Sequence, residues 1–236
     1  MKLKVLGSSS AGNGYILEDD REALLIEAGC RFSEVKKALD YNIRKVVGCV
    51  VSHEHKDHAR YAEEVKAAGI PVLGGESIHP TKVIEPRRGY RLGGFRIIPL
   101  PVEHDVLCFA FLIQHEGMGK LLFITDTMSF NYRIEGLTQI LIEANYCDKR
   151  LDDNIESGLL QESLRERIIQ SHMEIGTTID VLKSLNLESV WNIVLIHLSE
   201  GNGDAEGFVR RIMNETGRIP VIATPGLVMN IKDLPY

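Results

Sequence analysis

The sequence predicts an α/β (α+β) fold arranged as a four-layer αββα sandwich, and three observations carry that prediction. Short apolar strand patterns recur along the chain with amphipathic stretches between and beyond them, so strands meet in the middle with helices outside. The 236 residues are 44% hydrophobic, which supports one sizeable core and one domain over residues 1–236, with no Pro/Gly/Ser-rich linker to divide it. The apolar run Val46-Val47-Gly48-Cys49-Val50-Val51-Ser52 reads as a buried strand that ends at His53-Glu54-His55-Lys56-Asp57-His58. A core element thus presents three imidazoles and a carboxylate at its mouth.

In chain order, Lys2-Leu3-Lys4-Val5-Leu6 and Gly14 to Glu18 read as strands joined by Gly7-Ser8-Ser9-Ser10-Ala11-Gly12-Asn13-Gly14. Ala23 to Glu27 and Val46 to Ser52 are apolar strands with a helix near 33–40 between them, and a helix near 59–68 follows the histidine-rich run. The middle is strand-rich, near 71–73, 95–100, 107–114 and 119–125, broken by the turns Arg91-Leu92-Gly93-Gly94 and Glu116-Gly117-Met118-Gly119. A strand at 138–143, helices near 156–169 and 175–185, a strand at 191–196, a helix at 204–216 and a strand at 219–223 complete the pattern. No internal repeat is visible in the sequence.

The net charge of −6 weighs against strong non-specific binding to long nucleic acid. The basic groups Arg87-Arg88 with Arg91, Arg165 with Arg167, and Arg210-Arg211 are short clusters of the kind that usually form solvated faces. Cys30, Cys49, Cys108 and Cys147 lie far apart without a Cys-X-X-Cys pair, which predicts reduced and mostly buried thiols. The opening apolar run is too short for a signal peptide and no stretch approaches a membrane span, so a cytosolic protein with no membrane partner is expected. His79, before Pro80, and His115, after a strand, read as surface polar residues.

In an extended segment side chains alternate, which would point His53, His55 and Asp57 one way and turn His58 aside. Two neighbouring ions can then share one short loop. A ligand set of imidazole and carboxylate without thiolate suits zinc first, with manganese or iron as alternatives.

The same six residues resemble the His-X-His-X-Asp-His loop of the metallo-β-lactamase superfamily. His104 in Val102-Glu103-His104-Asp105, Asp126 in Ile124-Thr125-Asp126-Thr127 and His197 in Leu195-Ile196-His197-Leu198-Ser199 follow in that family's order. The resemblance implies two divalent metal ions. His53, His55 and His104 would hold one, Asp57, His58 and His197 the other, and Asp126 would bridge them. The loaded cluster would carry about +2 and attract anionic substrates despite the acidic chain. The family fold is described as two similar halves, and its members often dimerise, so a homodimer is allowed, although no surface in the sequence marks one.

Within the superfamily the fold hosts many reactions. Ser171-His172-Met173-Glu174, expected to open an apolar-periodic helix where an anion is favoured, together with Leu141-Ile142-Glu143-Ala144-Asn145 and the His197 segment, resembles the nucleic-acid-processing branch: tRNase Z and the compact WalJ/YycJ-type exonucleases. That likeness implies in-line attack of a metal-bridged hydroxide on phosphorus, with catalytic roles for Asp57, holding or accepting the nucleophile's proton, His172, protonating the leaving oxygen, and Glu143, orienting His172. Ser9 and Asn13 in the opening turn and Asn202 after His197 would contact substrate. The stretches between His104 and Asp126 and between Asp126 and His172 are too short for the tRNA-holding arm or the inserted domain of larger relatives, so the compact plan fits best. Glu174 stands where the branch places Ser or Thr, which would add negative charge beside a phosphate path. The expected substrate is DNA or RNA. Small cyclic nucleotides or other small phosphodiesters are the alternative, and a glyoxalase II-like thioester or lactone hydrolase is the alternative of a different class.

Overall fold

Strand direction, rather than sequence, reveals an internal symmetry. The computed structural model describes residues 1–231, and the expected domain end at residue 236 lies outside the described residues. The first sheet contains β1 (Lys2–Ser9), β2 (Gly12–Glu18), β3 (Ala23–Ile26), β4 (Val46–Val50), β5 (Val72–Gly74), β6 (Lys82–Val83) and, from the far end of the chain, β14 (Val228–Asn230), in the order β14-β1-β2-β3-β4-β5-β6. The second contains β7 (Tyr90–Leu92), β8 (Phe95–Val102), β9 (Cys108–His115), β10 (Gly119–Ile124), β11 (Gln139–Glu143), β12 (Asn192–Ile196) and β13 (Val221–Ile222), in the reverse order β13-β12-β11-β10-β9-β8-β7. Read from β14 in one sheet and from β7 in the other, both run through antiparallel pairings and then change to parallel ones, at β3/β4 and at β10/β11.

Alternation along each strand builds the layers. Tyr15 and Leu17 of β2 face a core shared with the second sheet, where Tyr15 meets Phe123 edge-on at 5.6 Å, while Ile16 between them faces α1 (Phe32–Ala38) and the helices beside it. Likewise Val194 and Ile196 of β12 enter the shared core, and Ile193 and Leu195 pack under α6 (Ile175–Ser184) and α7 (Ala205–Thr216). Burial on both faces is why these strands are continuous apolar runs rather than alternating ones. The three resulting apolar clusters separate four layers, the predicted αββα sandwich.

Several expectations need correction. The helix expected near 59–68 is two short ones, α2 (Lys56–Ala59) and α3 (Ala62–Ala67), so the metal-type loop turns helical at Lys56 and the extended alternation does not reach Asp57 or His58. The helix expected near 156–169 is also two, α4 (Asp148–Glu156) and α5 (Glu162–Ser171), separated by a turn in which Gly158 takes φ +74°. His172 does not open α6. It lies in extended backbone at φ −134°, and Glu174 is the cap, its side chain accepting from the Gly176 N–H. The short strands β6, β7 and β14 went unseen because two or three residues carry too little periodicity. His115 is buried, not surface polar, with Nε2 at 3.0 Å from Glu22 Oε1, whereas His79 is exposed. All four cysteines are free, with Cys49 and Cys108 buried. Among the described residues no helix is long and apolar enough to cross a membrane.

Candidate metal centre

The site residues leave the sheets at neighbouring strand ends. Parallel pairing sets Ile124 beside Ile142 and Glu143 beside Ile196, so Asp126, Glu143 and His197 emerge side by side from β10, β11 and β12. This is the carboxyl edge where ligands of parallel sheets gather. The loop after β4 supplies His53, His55, Asp57 and His58 from the first sheet, and His104 follows β8. Asp126 and His197 adopt left-handed backbone, φ 47° and 53°. Non-glycine residues rarely hold such angles unless their surroundings impose them.

Two ligand groups result, sharing one carboxylate. His53, His55, His104 and Asp126 converge in the first, and Asp57, His58, Asp126 and His197 in the second. Asp126 Oδ1 lies 3.3 Å from His58 Nε2, and its Oδ2 lies 3.7 Å from His53 Nε2, so its two oxygens face different groups. Asp57 Oδ2 is 3.3 Å from His58 Nε2 and 3.4 Å from His197 Nε2. The Nε2 atoms of His53 and His197 are buried without a hydrogen-bond partner. Leaving such atoms unpaired costs about 1–3 kcal/mol each. Two of them aimed into a nest of carboxylates fit a divalent cation, and the nitrogen and oxygen donors suit zinc, manganese or iron.

The opposite ring nitrogen of His58, Nδ1, is buried without a hydrogen-bond partner and faces Glu27 Oε2 at 3.5 Å. Those of the other three are held in place: Ser52 Oγ lies 2.8 Å from His53 Nδ1, the Ser171 carbonyl 3.1 Å from His104 Nδ1, and Glu143 Oε1 3.0 Å from His197 Nδ1. Such partners fix the rings and raise their basicity toward a metal. Burial pushes the His53 pKa well below the ordinary imidazole value, which keeps it neutral as a ligand must be. Burial opposes charge on Asp126 too, yet His197 and His58 hold its carboxyl well below the usual range and keep it ionised.

Glu27 and Asp105 escaped the sequence reading. Glu27 is buried at φ 66° directly after β3, and its carboxylate accepts from the Ser52 N–H at 3.3 Å. The available signal was an acidic residue ending an otherwise apolar run, Leu24-Leu25-Ile26-Glu27. Asp105 Oδ1 lies 3.0 Å from His104 Nε2 and 3.3 Å from His55 Nε2, at the rim of the first group.

Beside the ligands, His172 Nδ1 lies 2.8 Å from Glu143 Oε1. Glu143 is fully buried, and its Oε2 accepts from the N–H groups of Thr127 and Met173 at 3.3 and 3.2 Å. Burial works against a charged His172, but the Glu143 carboxylate outweighs it and raises the pKa. Asp126, Glu143, His172 and His197 form a third cluster, but there the ring nitrogens of His172 and His197 face Glu143, whereas His197 Nε2 is free to serve the second group.

The metal groups open into a pocket of about 230 Å³ lined by His55, Asp57, His104, Asp126, His172 and His197, with Ser10 on one wall and Leu164, Arg167, Ile168 and Ser171 of α5 on another. Ser10, rather than Ser9, reaches this pocket, while Ser9 borders a neighbouring cavity of about 500 Å³. Asn13 is buried with Nδ2 at 3.3 Å from Asp57 Oδ2 and 3.1 Å from the Ser9 carbonyl, so it braces the loop. Asn202 is also buried, accepting from Asn154 Nδ2 at 2.8 Å, and does not line the metal pocket. Glu174, expected near a phosphate path, instead caps α6 and faces Arg211 at 3.7 Å.

An αββα sandwich with two carboxylate-linked histidine groups at the strand ends defines a metal-dependent hydrolase. Residues 9–126 match the family model described as "Metallo-beta-lactamase superfamily", and the chain belongs to that superfamily. It is 24% identical over 258 aligned positions to exodeoxyribonuclease WalJ of Streptococcus pneumoniae serotype 2 (strain D39), covering 100% of this chain and 85% of that protein. Exodeoxyribonuclease YycJ of Bacillus anthracis is 25% identical over 229 positions, covering 87% of this chain and 85% of that protein. In three dimensions the metallo-β-lactamase fold protein YhfI of Bacillus subtilis aligns with a TM-score of 0.71 at 18% identity, covering 97% of this chain and 98% of that one.

Proposed function

We propose that this chain is a dinuclear metal phosphodiesterase that cleaves DNA or RNA in the manner of an exonuclease, with zinc as the first candidate metal. The observation that carries the reading is the Glu143–His172 pair at 2.8 Å beside the metal groups. Thioester and lactone hydrolysis need the metal ligands but have no use for an oriented imidazole aimed at a leaving oxygen. The names of the two curated relatives, both exodeoxyribonucleases, support DNA as the first substrate to test.

Bound divalent ions lower the pKa of water and neutralise charge on phosphoryl oxygens. The chain's own residues supply the rest. His172 lines the pocket, and with Nδ1 engaged by Glu143 its Nε2 is the nitrogen left for proton transfer. As water's oxygen bonds to phosphorus, the Asp57 carboxylate takes its proton. The bond from phosphorus to the leaving oxygen breaks, and His172 Nε2 delivers a proton to that oxygen. Such proton transfers each contribute about 10²–10⁴-fold.

End-labelled single- and double-stranded DNA and RNA, incubated with the zinc- or manganese-loaded protein, test the reading. Stepwise release of mononucleotides is the expected result. Turnover of thioesters or lactones with no cleavage of any phosphodiester would replace it.

A further inference from the structure

Helix α5 carries two arginines in different surroundings. Arg165 bonds Asp152 Oδ1 through Nε at 3.1 Å and Nη2 at 2.9 Å, tying α5 to α4. Arg167 is exposed and, among the described residues, has no hydrogen-bond or ion-pair partner. It lines the metal pocket instead.

Residues 164, 167, 168 and 171 fall on one face of a helix by spacing. Leu164, Arg167, Ile168 and Ser171 all line the pocket, so that face forms its wall. The wall is joined to the site itself, because the Ser171 carbonyl lies 3.1 Å from the ligand His104. The wall therefore offers one exposed arginine, without a partner among the described residues, flanked by two aliphatic side chains in a pocket that the ligand residues also line. A lone cation with five donors in a planar fork is suited to phosphate oxygens. Leu164, 44% exposed, is apolar surface that water covers until something else does.

Resting on the phosphodiester reading, we infer that Arg167 is a phosphate-binding residue that holds the substrate's phosphate in the metal pocket while Leu164 and Ile168 pack against the attached sugar or base. The site then selects a nucleotide-like unit, one anion with an apolar body, over a neutral ester of the same size.

The test compares the metal-loaded wild type with Arg167→Gln, Arg167→Lys and, as a surface control, Arg210→Gln. Three quantities are read: metal content, kcat and KM for the p-nitrophenyl ester of thymidine 5′-monophosphate, and calorimetric binding of thymidine 5′-monophosphate. Loss of a charge-assisted contact should raise KM and weaken nucleotide binding by about 10- to 100-fold in Arg167→Gln. Metal content should be unchanged, kcat should change far less than KM, Arg167→Lys should recover part of the binding, and Arg210→Gln should match wild type. Wild-type KM and nucleotide binding in Arg167→Gln would overturn the inference, as would metal loss accompanying the defect, since that marks a structural role. If wild type cleaves no phosphodiester, the phosphodiester reading fails separately. Nucleotide binding then decides Arg167 alone: weaker binding in Arg167→Gln keeps the anion site, and equal binding removes it.

Discussion

Glu143 Oε1 lies 2.8 Å from His172 Nδ1 and 3.0 Å from His197 Nδ1, so one buried oxygen orients both a metal-type ligand and the imidazole proposed to protonate the leaving group. This double use separates the two roles by experiment. His172→Ala should keep its metal and lose about 10²–10⁴-fold in kcat on phosphodiesters, measured with metal analysis alongside kinetics. Glu143→Gln should impair both metal affinity and turnover. Metal loss in His172→Ala would assign His172 to the ligands instead.

Glu27 faces His58 from behind, with Oε2 at 3.5 Å from Nδ1. Removing such a support lowers metal affinity by about 10- to 100-fold. Competition against a chromophoric chelator should show that weakening for Glu27→Ala in the second metal group, with the first retained. Equal affinities would mean that the loop alone fixes His58.

Gly29 packs directly on the Asp57 backbone, and a Cβ there would collide with the Asp57 carbonyl oxygen. Gly29→Ala should therefore displace the metal loop. The expected outcome is a lower melting temperature together with a loss of metal affinity. A variant with normal melting and normal metal content would show that the loop can shift at no cost.

Glu18 receives Lys4 and Lys45 at 2.5 and 2.6 Å. Burial raises its pKa, but the two ammonium groups outweigh burial and hold the carboxyl below its ordinary value. A carboxyl lowered on folding adds stability above its unfolded pKa, near 4.3, and that stability is lost as the pH falls through the folded value. Glu18→Gln should cost about 1–3 kcal/mol at pH 7 and less as the pH drops below about 4. Denaturant unfolding across that range reads it, and a pH-independent cost would contradict the assignment.

How much was legible follows from which signals are local. The ligands were legible because His53, Asp126 and His197 each closely follow an apolar strand run, and His55, Asp57 and His58 follow His53 at close spacing. The two-faced burial of residues such as Ile16 and Ile193 made the strands readable. The symmetry of strand directions was not, because it lives in hydrogen-bond partners and not in residue identity. The place of His172 was misjudged because Glu174 caps α6, and a cap is recognised only once the helix start is known. Glu27 and Asn13 act across a fold that no sequence spacing displays, since Asn13 reaches Asp57 and Glu27 reaches His58 only after the hairpin and β3 close on the loop.

Release of p-nitrophenol from bis(p-nitrophenyl) phosphate, with zinc and manganese supplied separately, tests the central claim most directly when wild type and Asp126→Ala are compared. Asp126 offers an oxygen to each metal group, so its loss should remove both bound metal and turnover. Metal-dependent release by wild type that disappears in Asp126→Ala is the predicted result. Two bound ions in wild type with no release under either metal would contradict phosphodiester chemistry and turn attention to thioesters and lactones.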